Sequence, residues 1–141
     1  MPEKQDKTQQ IHRVVLDTNI LVSSILCARG NPAAIMKMIS EGKIAPYYNA
    51  EIMSEYNRVL RYPKLGFTSI RIELHIKRIS AKGILLEPEK SIFKMPDEDD
   101  RIFYDLHKAA NAILITGNTK HYPKEDSIMK PAEFMEYINN A

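Results

Sequence analysis

The chain of 141 residues has the length of one ordinary domain, and 44% hydrophobic residues are enough for a single buried core. Its formal net charge of +2 is too small to indicate a class of partner, and the single cysteine, Cys27, excludes an intramolecular disulfide and a cysteine-based zinc site. No apolar run approaches the ~18 residues that span a bilayer, and no signal peptide is recognisable. We therefore expect a soluble, cytoplasmic protein with no membrane partner.

The amino-terminal part of the chain contains one short and very apolar stretch. Residues 1–10 are polar and without periodicity, which predicts a disordered leader. The run Val14–Leu16 then leads directly into Asp17, followed by Thr18 and Asn19. Such a run is typical of a strand that is buried on both faces of a parallel sheet. Asp17 would then lie at the carboxyl end of this strand, where open α/β sheets place their functional groups.

Apolar periodicity predicts alternating helices and strands along the rest of the chain. The predicted helices cover residues 20–28, 33–39, 50–60, 69–80, 101–110 and 131–137, and Asn49 is the predicted N-cap of the third of them. The predicted strands cover 13–16, 44–48, 83–88, 112–116 and 127–130. Segment 69–80 also alternates like a strand, but its length and an N-cap at Thr68 or Ser69 favour a helix. The alternation predicts one α/β domain over residues 11–141, with parallel βαβ units and helices on both faces of the sheet.

A doubly wound sheet of order 3-2-1-4-5 makes the first and fourth strands neighbours. In that order Asp17 and Asn118 flank one cleft, and the loop Asp97–Asp100 opens onto it, with Glu55 on a nearby helix. Oxygen ligands without cysteine or histidine select Mg²⁺ or Mn²⁺. Such an ion activates water for attack on phosphorus, so the residues indicate metal-assisted phosphodiester hydrolysis. The four histidines show no ligand spacing and are interpreted as non-ligands.

Each of these residues also has a simpler interpretation. Asp17 and Asp100 are both good helix N-caps, Glu55 suits a solvent-facing position, and Asn118 suits a turn. Charge is unevenly distributed as well: residues 58–82 hold seven Lys and Arg against one acid, whereas residues 87–105 hold seven acids. This distribution suits an anionic substrate handled through a metal ion, and it equally suits two solvated faces. The residues alone leave these alternatives open.

Four motifs in this order resemble the PIN-domain ribonucleases, in particular the toxin branch of toxin–antitoxin systems. The first is the strand and acid of Val14–Ser23, and the second is Ser54-Glu55-Tyr56 with Val59-Leu60 and Pro63-Lys64. The third is Asp97–Phe103, where the register makes Asp100 the acid, and the fourth is Ile115–Asn118. The resemblance covers about residues 12–138, which is nearly the whole chain.

The resemblance implies a three-layer α/β/α fold around a five-stranded parallel sheet, and Mg²⁺- or Mn²⁺-dependent cleavage of single-stranded RNA. Its implied catalytic residues are Asp17, Glu55, Asp100 and Asn118, of which the three acids would bind the metal. By the same resemblance Thr18, Asn19 and Thr116 would order the site. Arg58, Arg61 and Lys64 would steer RNA, since phosphate contacts supply most non-specific affinity. The resemblance also implies an antitoxin protein as a partner and a homodimer.

One position departs from the pattern. Much of the superfamily has a fourth Asp where this chain has Asn118, although the toxin branch often has Thr-Gly-Asn there. Since Asn keeps an oxygen ligand but loses a charge, lower metal affinity and weak activity are expected. The alternative function is therefore a catalytically weak PIN fold that acts as an RNA-binding or protein-interaction scaffold. A phosphohydrolase with Asp17 as the nucleophile is disfavoured, because that chemistry needs a second Asp at position 19, which is Asn.

Overall fold

The computed structural model describes residues 10–92 and 94–140, so the leader predicted over residues 1–10 lies outside the described residues except for Gln10. The strands are β1 (His12–Leu16), β2 (Ile44–Tyr48), β3 (Ile84–Leu85), β4 (Ile113–Ile115) and β5 (Ile128–Met129). The helices are α1 (Thr18–Leu26), α2 (Asn31–Ser40), α3 (Ala50–Leu60), α4 (Ser69–Lys82), α5 (Arg101–Ala110) and α6 (Pro131–Asn139). Short 3₁₀ turns cover Pro63–Leu65, Glu98–Asp100 and Thr119–His121.

The strands form one five-stranded sheet in the order β3-β2-β1-β4-β5, and every pair is parallel. This confirms the predicted order 3-2-1-4-5 and the predicted α/β class. Val14 is in register with Ile113 and Leu16 with Ile115, so β1 and β4 end side by side. The N–H of Asp17 continues the ladder by donating to the carbonyl of Ile115 at 3.0 Å. The residues that follow these two strands therefore meet at one edge.

The middle strand is buried on both of its faces. Val14, Val15 and Leu16 are each 0% exposed. Because successive strand residues point to opposite faces of a sheet, this burial requires a covering layer on either side. The arrangement is the three-layer α/β/α architecture expected for a parallel sheet built from βαβ units.

Helix α3 packs against the end of β1. Its predicted N-cap is confirmed, since the side chain of Asn49 accepts a hydrogen bond of 2.9 Å from the N–H of Ile52. Ile52, Tyr56 and Leu60 recur every four residues and are 0% exposed. The Tyr56 hydroxyl donates to the carbonyl of Leu16 at 2.5 Å. This bond fixes α3 directly behind the residue that precedes Asp17.

The ambiguous segment 69–80 is helical, as its length predicted, and lies within α4. The Thr68 side chain caps the helix by accepting from the N–H of Arg71. Ile72 and Ile79 are buried seven positions apart, whereas Ile70 is 73% exposed. Burial with a helical period, rather than alternate burial, decides the assignment. Among residues 10–92 and 94–140, no helix is long and apolar enough to cross a membrane.

Candidate active site

Asp17 lies where β1 ends and is 7% exposed. Its Oδ2 atom accepts hydrogen bonds from the Thr116 hydroxyl at 2.8 Å and from the Tyr122 hydroxyl at 3.0 Å. Asp17 occupies the N-cap position of α1, but its side chain makes no capping hydrogen bond there. The carboxylate instead points to the residues that follow β4, so helix capping does not account for its side chain.

Thr116 and Asn19 connect the two strand ends. The Thr116 hydroxyl, which donates to Asp17, accepts from the Asn118 N–H at 3.1 Å and from Asn19 Nδ2 at 3.4 Å. Asn19 Nδ2 also lies 3.3 Å from Asp17 Oδ2, and Asn19 Oδ1 accepts from the N–H of Gly117 at 2.9 Å. These bonds hold the Asp17 carboxylate in one orientation.

Thr18 differs from its neighbours in the predicted set of ordering residues. Its hydroxyl oxygen is buried and has no hydrogen-bond partner within the described part of the chain. The proximity of its backbone to the Asp17 carboxylate lowers the pKa of that group. The ordering bonds around Asp17 thus come from the side chains of Asn19, Thr116 and Tyr122.

Asp100 lies at the start of α5 and faces a histidine. Its side chain makes no capping hydrogen bond to that helix. The Asp100 Oδ2 atom lies 3.2 Å from Nδ1 of His121, and the Oδ2 atom of Asp97 lies 3.9 Å from the same nitrogen. One ligand atom from each of Asp97, Asp100 and His121 falls within 4.8 Å of the other two. Two carboxylates and an imidazole therefore converge at one point.

The carboxylates raise the pKa of their neighbours. Burial raises the pKa of Asp17, although the hydrogen bonds from Thr116 and Tyr122 oppose the rise. Burial, together with the negative charges of Asp17 and Asp97, raises the pKa of Asp100 to about 6. Burial beside Asp17 also raises the pKa of Tyr122, so this tyrosine remains a hydrogen-bond donor at neutral pH. Ionisation of both acids is unfavourable here unless a cation compensates their charge.

The side chains present fit a divalent cation. Asp100 Oδ2 is buried and accepts no well-aligned hydrogen bond from the residues described, although the His121 ring lies beside it. Ligands about 2.1 Å from one ion lie about 3 Å apart when adjacent and about 4 Å apart when opposite. The separations of 3.2 and 3.9 Å fall in that range. Asp97, Asp100 and His121 could thus share one ion, with Asp17 close enough to act electrostatically on Asp100.

Glu55 and Asn118, two of the four predicted catalytic residues, have other partners. The Glu55 carboxylate pairs with the guanidinium of Arg58 at 2.5 Å on the half-exposed flank of α3. It is not part of the Asp97, Asp100 and His121 group. The Asn118 side-chain nitrogen lies 2.8 Å from Nε2 of His121, so its side chain contacts the histidine.

Two of the three predicted RNA-steering residues, Arg58 and Lys64, lie near the ring of Tyr62. The Arg58 guanidinium is 5.8 Å and the Lys64 ammonium is 6.0 Å from the centre of the Tyr62 ring. Arg61 is the residue at which α3 ends. Arg58 is already paired with Glu55, which leaves Arg61 and Lys64 as the better candidates for phosphate contacts.

Sequence reasoning missed His121 and Tyr122, and in the segment Asp97–Phe103 it selected Asp100 and not Asp97 as the acid of the site. His121 was interpreted as a non-ligand because no second ligand lies at a regular spacing from it. The structure brings it to Asp100 through the turn Thr119–His121 that follows Asn118. Their position in the chain was the signal that could have predicted this. His121 and Tyr122 closely follow β4, and β4 ends at the edge of the sheet where Asp17 was expected.

Comparison with known proteins shows that the chain matches one protein family. The model of the PIN domain matches residues 13–120, a span that includes Asp17, Glu55, Asp100 and Asn118 and ends just before His121. An uncharacterised protein of Methanocaldococcus jannaschii, MJ1680, is 30% identical over 119 residues, which cover 82% of this chain and 76% of the relative. No solved structure matches the chain.

Proposed function

Because the chain belongs to the PIN-domain family, whose members are typically nucleases, we propose that it is a metal-dependent ribonuclease that hydrolyses phosphodiester bonds of single-stranded RNA. The observation that carries the proposal is the pair Asp17 and Asp100: Asp17 is buried at the end of β1, Asp100 lies partly buried at the start of α5, and the pKa of both is raised. Ionisation of two such carboxylates is unfavourable unless a cation compensates their charge, and a bound metal ion would supply that compensation. The chemistry of the ligand set suits Mg²⁺ or Mn²⁺.

In this proposal each residue has a defined task. Bound Mg²⁺ or Mn²⁺ would neutralise charge on the scissile phosphate and supply an activated water. Asp100, with Asp97 beside it, would hold the ion, and Asp17 would add a further carboxylate whose direction is fixed by hydrogen bonds from the hydroxyls of Thr116 and Tyr122. The carboxylate of Glu55 is paired with Arg58 and would have to leave that arginine to take the metal-binding role that the resemblance implies.

The test is cleavage of single-stranded RNA with Mn²⁺ by the wild-type protein and by Asp17→Asn. The substitution keeps the size of the side chain and removes its charge, so we expect at least about a hundredfold loss of cleavage. Asp126→Asn is the matched control, because Asp126 is exposed and outside the site. Equal cleavage by wild type and Asp17→Asn would contradict the proposal.

The alternative, a catalytically weak scaffold that binds RNA or a protein, is favoured by two contacts. Glu55 is neutralised by Arg58, and the position of a fourth acid is occupied by Asn118, which contacts His121. Both reduce the negative charge available to a metal. If neither protein cleaves RNA above background while both bind it equally, the scaffold is the better description.

We further propose that this ribonuclease is the toxin of a toxin–antitoxin pair and acts as a homodimer. The support is the resemblance of the four motifs to the toxin branch, together with the exposed Ile70 and Leu74 on α4, which would suit a protein contact. Expression of the wild type, but not of Asp17→Asn, should arrest growth of the host. Growth that is unaffected by an RNA-cleaving wild type would contradict the toxin role, and a monomeric mass in solution would contradict the dimer.

A further inference from the structure

The loop after β4 carries a histidine that points at the acids of the site. We propose that His121 is a nitrogen ligand of the metal centre and that Asn118 orients it, so that the site prefers Mn²⁺ over Mg²⁺. This inference rests on the metal dependence in the proposed function, but not on RNA as the substrate. It also gives the departure at Asn118 a role other than that of a weakened metal ligand.

The first step is the geometry of the ring. Nδ1 of His121 faces Oδ2 of Asp100 at 3.2 Å and Oδ2 of Asp97 at 3.9 Å. These are separations of ligands around a single ion, and Asp100 Oδ2 is a buried oxygen without a well-aligned hydrogen-bond donor in the described ranges. A cation between the three atoms would give this oxygen the partner that it lacks.

The second step is the other nitrogen of the ring. Metal-binding histidines usually hold their second nitrogen in a hydrogen bond that fixes the orientation of the ring. Here the Asn118 amide lies 2.8 Å from Nε2 and donates to it, which places the ring proton on Nδ1. When Nδ1 binds a cation, it gives up that proton and Nε2 takes one, so the imidazole remains neutral. Asn118 can then turn its amide and accept from Nε2–H through Oδ1.

The presence of Asn rather than Asp follows from this exchange. An amide has both a donor and an acceptor and can serve the ring in either state, whereas an ionised carboxylate only accepts. The Asn118 backbone N–H is itself anchored to the Thr116 hydroxyl at 3.1 Å. The hydrogen bonds that orient Asp17 therefore also position the residue that orients His121.

The third step concerns the choice of ion. Imidazole nitrogen suits transition metals, whereas Mg²⁺ takes oxygen ligands and keeps most of its waters. A site with two carboxylates and one imidazole should therefore bind Mn²⁺ more tightly than an all-oxygen site, with little gain for Mg²⁺. Removal of the imidazole should lower Mn²⁺ affinity and leave Mg²⁺ affinity nearly unchanged.

The experiment measures metal binding directly. Mn²⁺ is titrated into wild type, His121→Ala, Asn118→Ala and the control His75→Ala, with free Mn²⁺ followed by electron paramagnetic resonance. Pulsed measurements on the bound ion report hyperfine coupling to a ligand nitrogen. We expect nitrogen coupling in wild type and in His75→Ala, and its loss in His121→Ala with at least about tenfold weaker Mn²⁺ binding. Asn118→Ala should keep the nitrogen coupling but bind Mn²⁺ about tenfold more weakly. Mg²⁺ affinity is measured by competition with Mn²⁺ and should change less than about threefold in every variant.

Three results would overturn the inference: no Mn²⁺ binding by the wild type, bound Mn²⁺ without nitrogen coupling, or coupling that persists in His121→Ala. Cleavage of single-stranded RNA is measured on the same samples. Cleavage without nitrogen coupling would refute the role of His121 and leave the ribonuclease proposal intact. Nitrogen coupling without cleavage would refute the ribonuclease proposal and leave the role of His121 intact.

Discussion

The hydroxyl of Tyr122 donates a hydrogen bond of 3.0 Å to Oδ2 of Asp17, joining the loop after β4 to the end of β1. Thr116 donates to the same oxygen at 2.8 Å. Burial raises the pKa of Asp17, and these two donors act against that rise. The loop therefore helps to keep a buried acid ionised, which a metal ligand requires.

Replacement of Tyr122 by Phe tests this link. Loss of one donor to a charged acceptor should raise the pKa of Asp17 further, because a hydrogen bond to a charged group contributes about 1.5 kcal/mol. Protons then compete with the metal up to higher pH, so the pH at which Mn²⁺ affinity is half-maximal should move upward. Mn²⁺ titrations at a series of pH values measure the shift. Tyr137→Phe, on an exposed side chain, is the control, and identical curves for Tyr122→Phe and wild type would refute the link.

Asp100→Asn should stabilise the metal-free protein at neutral pH. The pKa of Asp100 is about 6 in the fold against 3.8 normally, so the folded state holds the proton more tightly. Protonated Asp100 therefore contributes its whole stabilising effect to the fold below about pH 4, and this contribution is lost as the pH rises to about 6. After allowance for screening by water, the difference is about 1–2 kcal/mol. Urea unfolding in the presence of a chelator should show Asp100→Asn more stable than wild type at about pH 7, with a smaller advantage at about pH 4.5. An advantage of the same size at both pH values would contradict the assignment.

The sequence was sufficient to predict the strand order of the sheet and the position of Asp17 at the end of β1. The apolar run Val14–Leu16 and the helical periods around it are local signals, and parallel βαβ connectivity restricts the order of the strands. Once β1 and β4 are neighbours, the approach of Asp17 to Thr116 follows from the register. The cap at Asn49 was likewise a local signal that the structure confirms.

The side-chain partners were not predictable in the same way. His121 and Tyr122 reach the acids through the path of an irregular loop, and no hydrophobic period describes such a path. The partner of Glu55 was within reach of sequence reasoning, because Arg58 follows at the i+3 spacing that favours an ion pair on a helix. This ion pair with Arg58 competes with the metal-binding role that the resemblance implies for Glu55. Whether Glu55 binds metal stays a prediction.

Tyr56→Phe should destabilise the protein although the ring remains. The Tyr56 hydroxyl donates to the Leu16 carbonyl at 2.5 Å, and Tyr56 is 0% exposed. The substitution leaves a buried carbonyl without this donor, which costs about 1–3 kcal/mol. Urea unfolding of Tyr56→Phe and of the exposed Tyr137→Phe measures the difference, with an effect within about 0.5 kcal/mol expected for the control. An equally small effect at both positions would show that the bond contributes nothing to stability.

Gly83→Ala should be strongly destabilising. A Cβ at Gly83, which ends α4 before β3, would overlap the carbonyl oxygens of Ile79 and Pro46. Since both oxygens belong to the backbone, relief requires the helix and β2 to separate, at a cost of about 3 kcal/mol. At Gly30 a Cβ would meet its nearest atom at an ordinary 3.5 Å, so Gly30→Ala should cost less than about 1 kcal/mol. Thermal unfolding of the two variants tests the contrast, and equal melting temperatures would refute it.

Charge reversal at the end of α3 tests the proposal that Arg61 and Lys64 contact RNA. Arg58 is engaged with Glu55, whereas Arg61 and Lys64 follow at the end of the helix and around Tyr62. If both contact phosphates, each contributes about 0.7 to the slope of log affinity against log salt for a single strand. The double variant Arg61→Glu/Lys64→Glu should therefore bind single-stranded RNA more weakly and with a slope smaller by about 1.4.

The control Arg29→Glu/Lys37→Glu changes the net charge equally at two exposed positions outside the basic segment, and it separates local contact from overall charge. A slope that is unchanged in the first variant, or reduced equally in both, would place the phosphate contacts elsewhere on the protein.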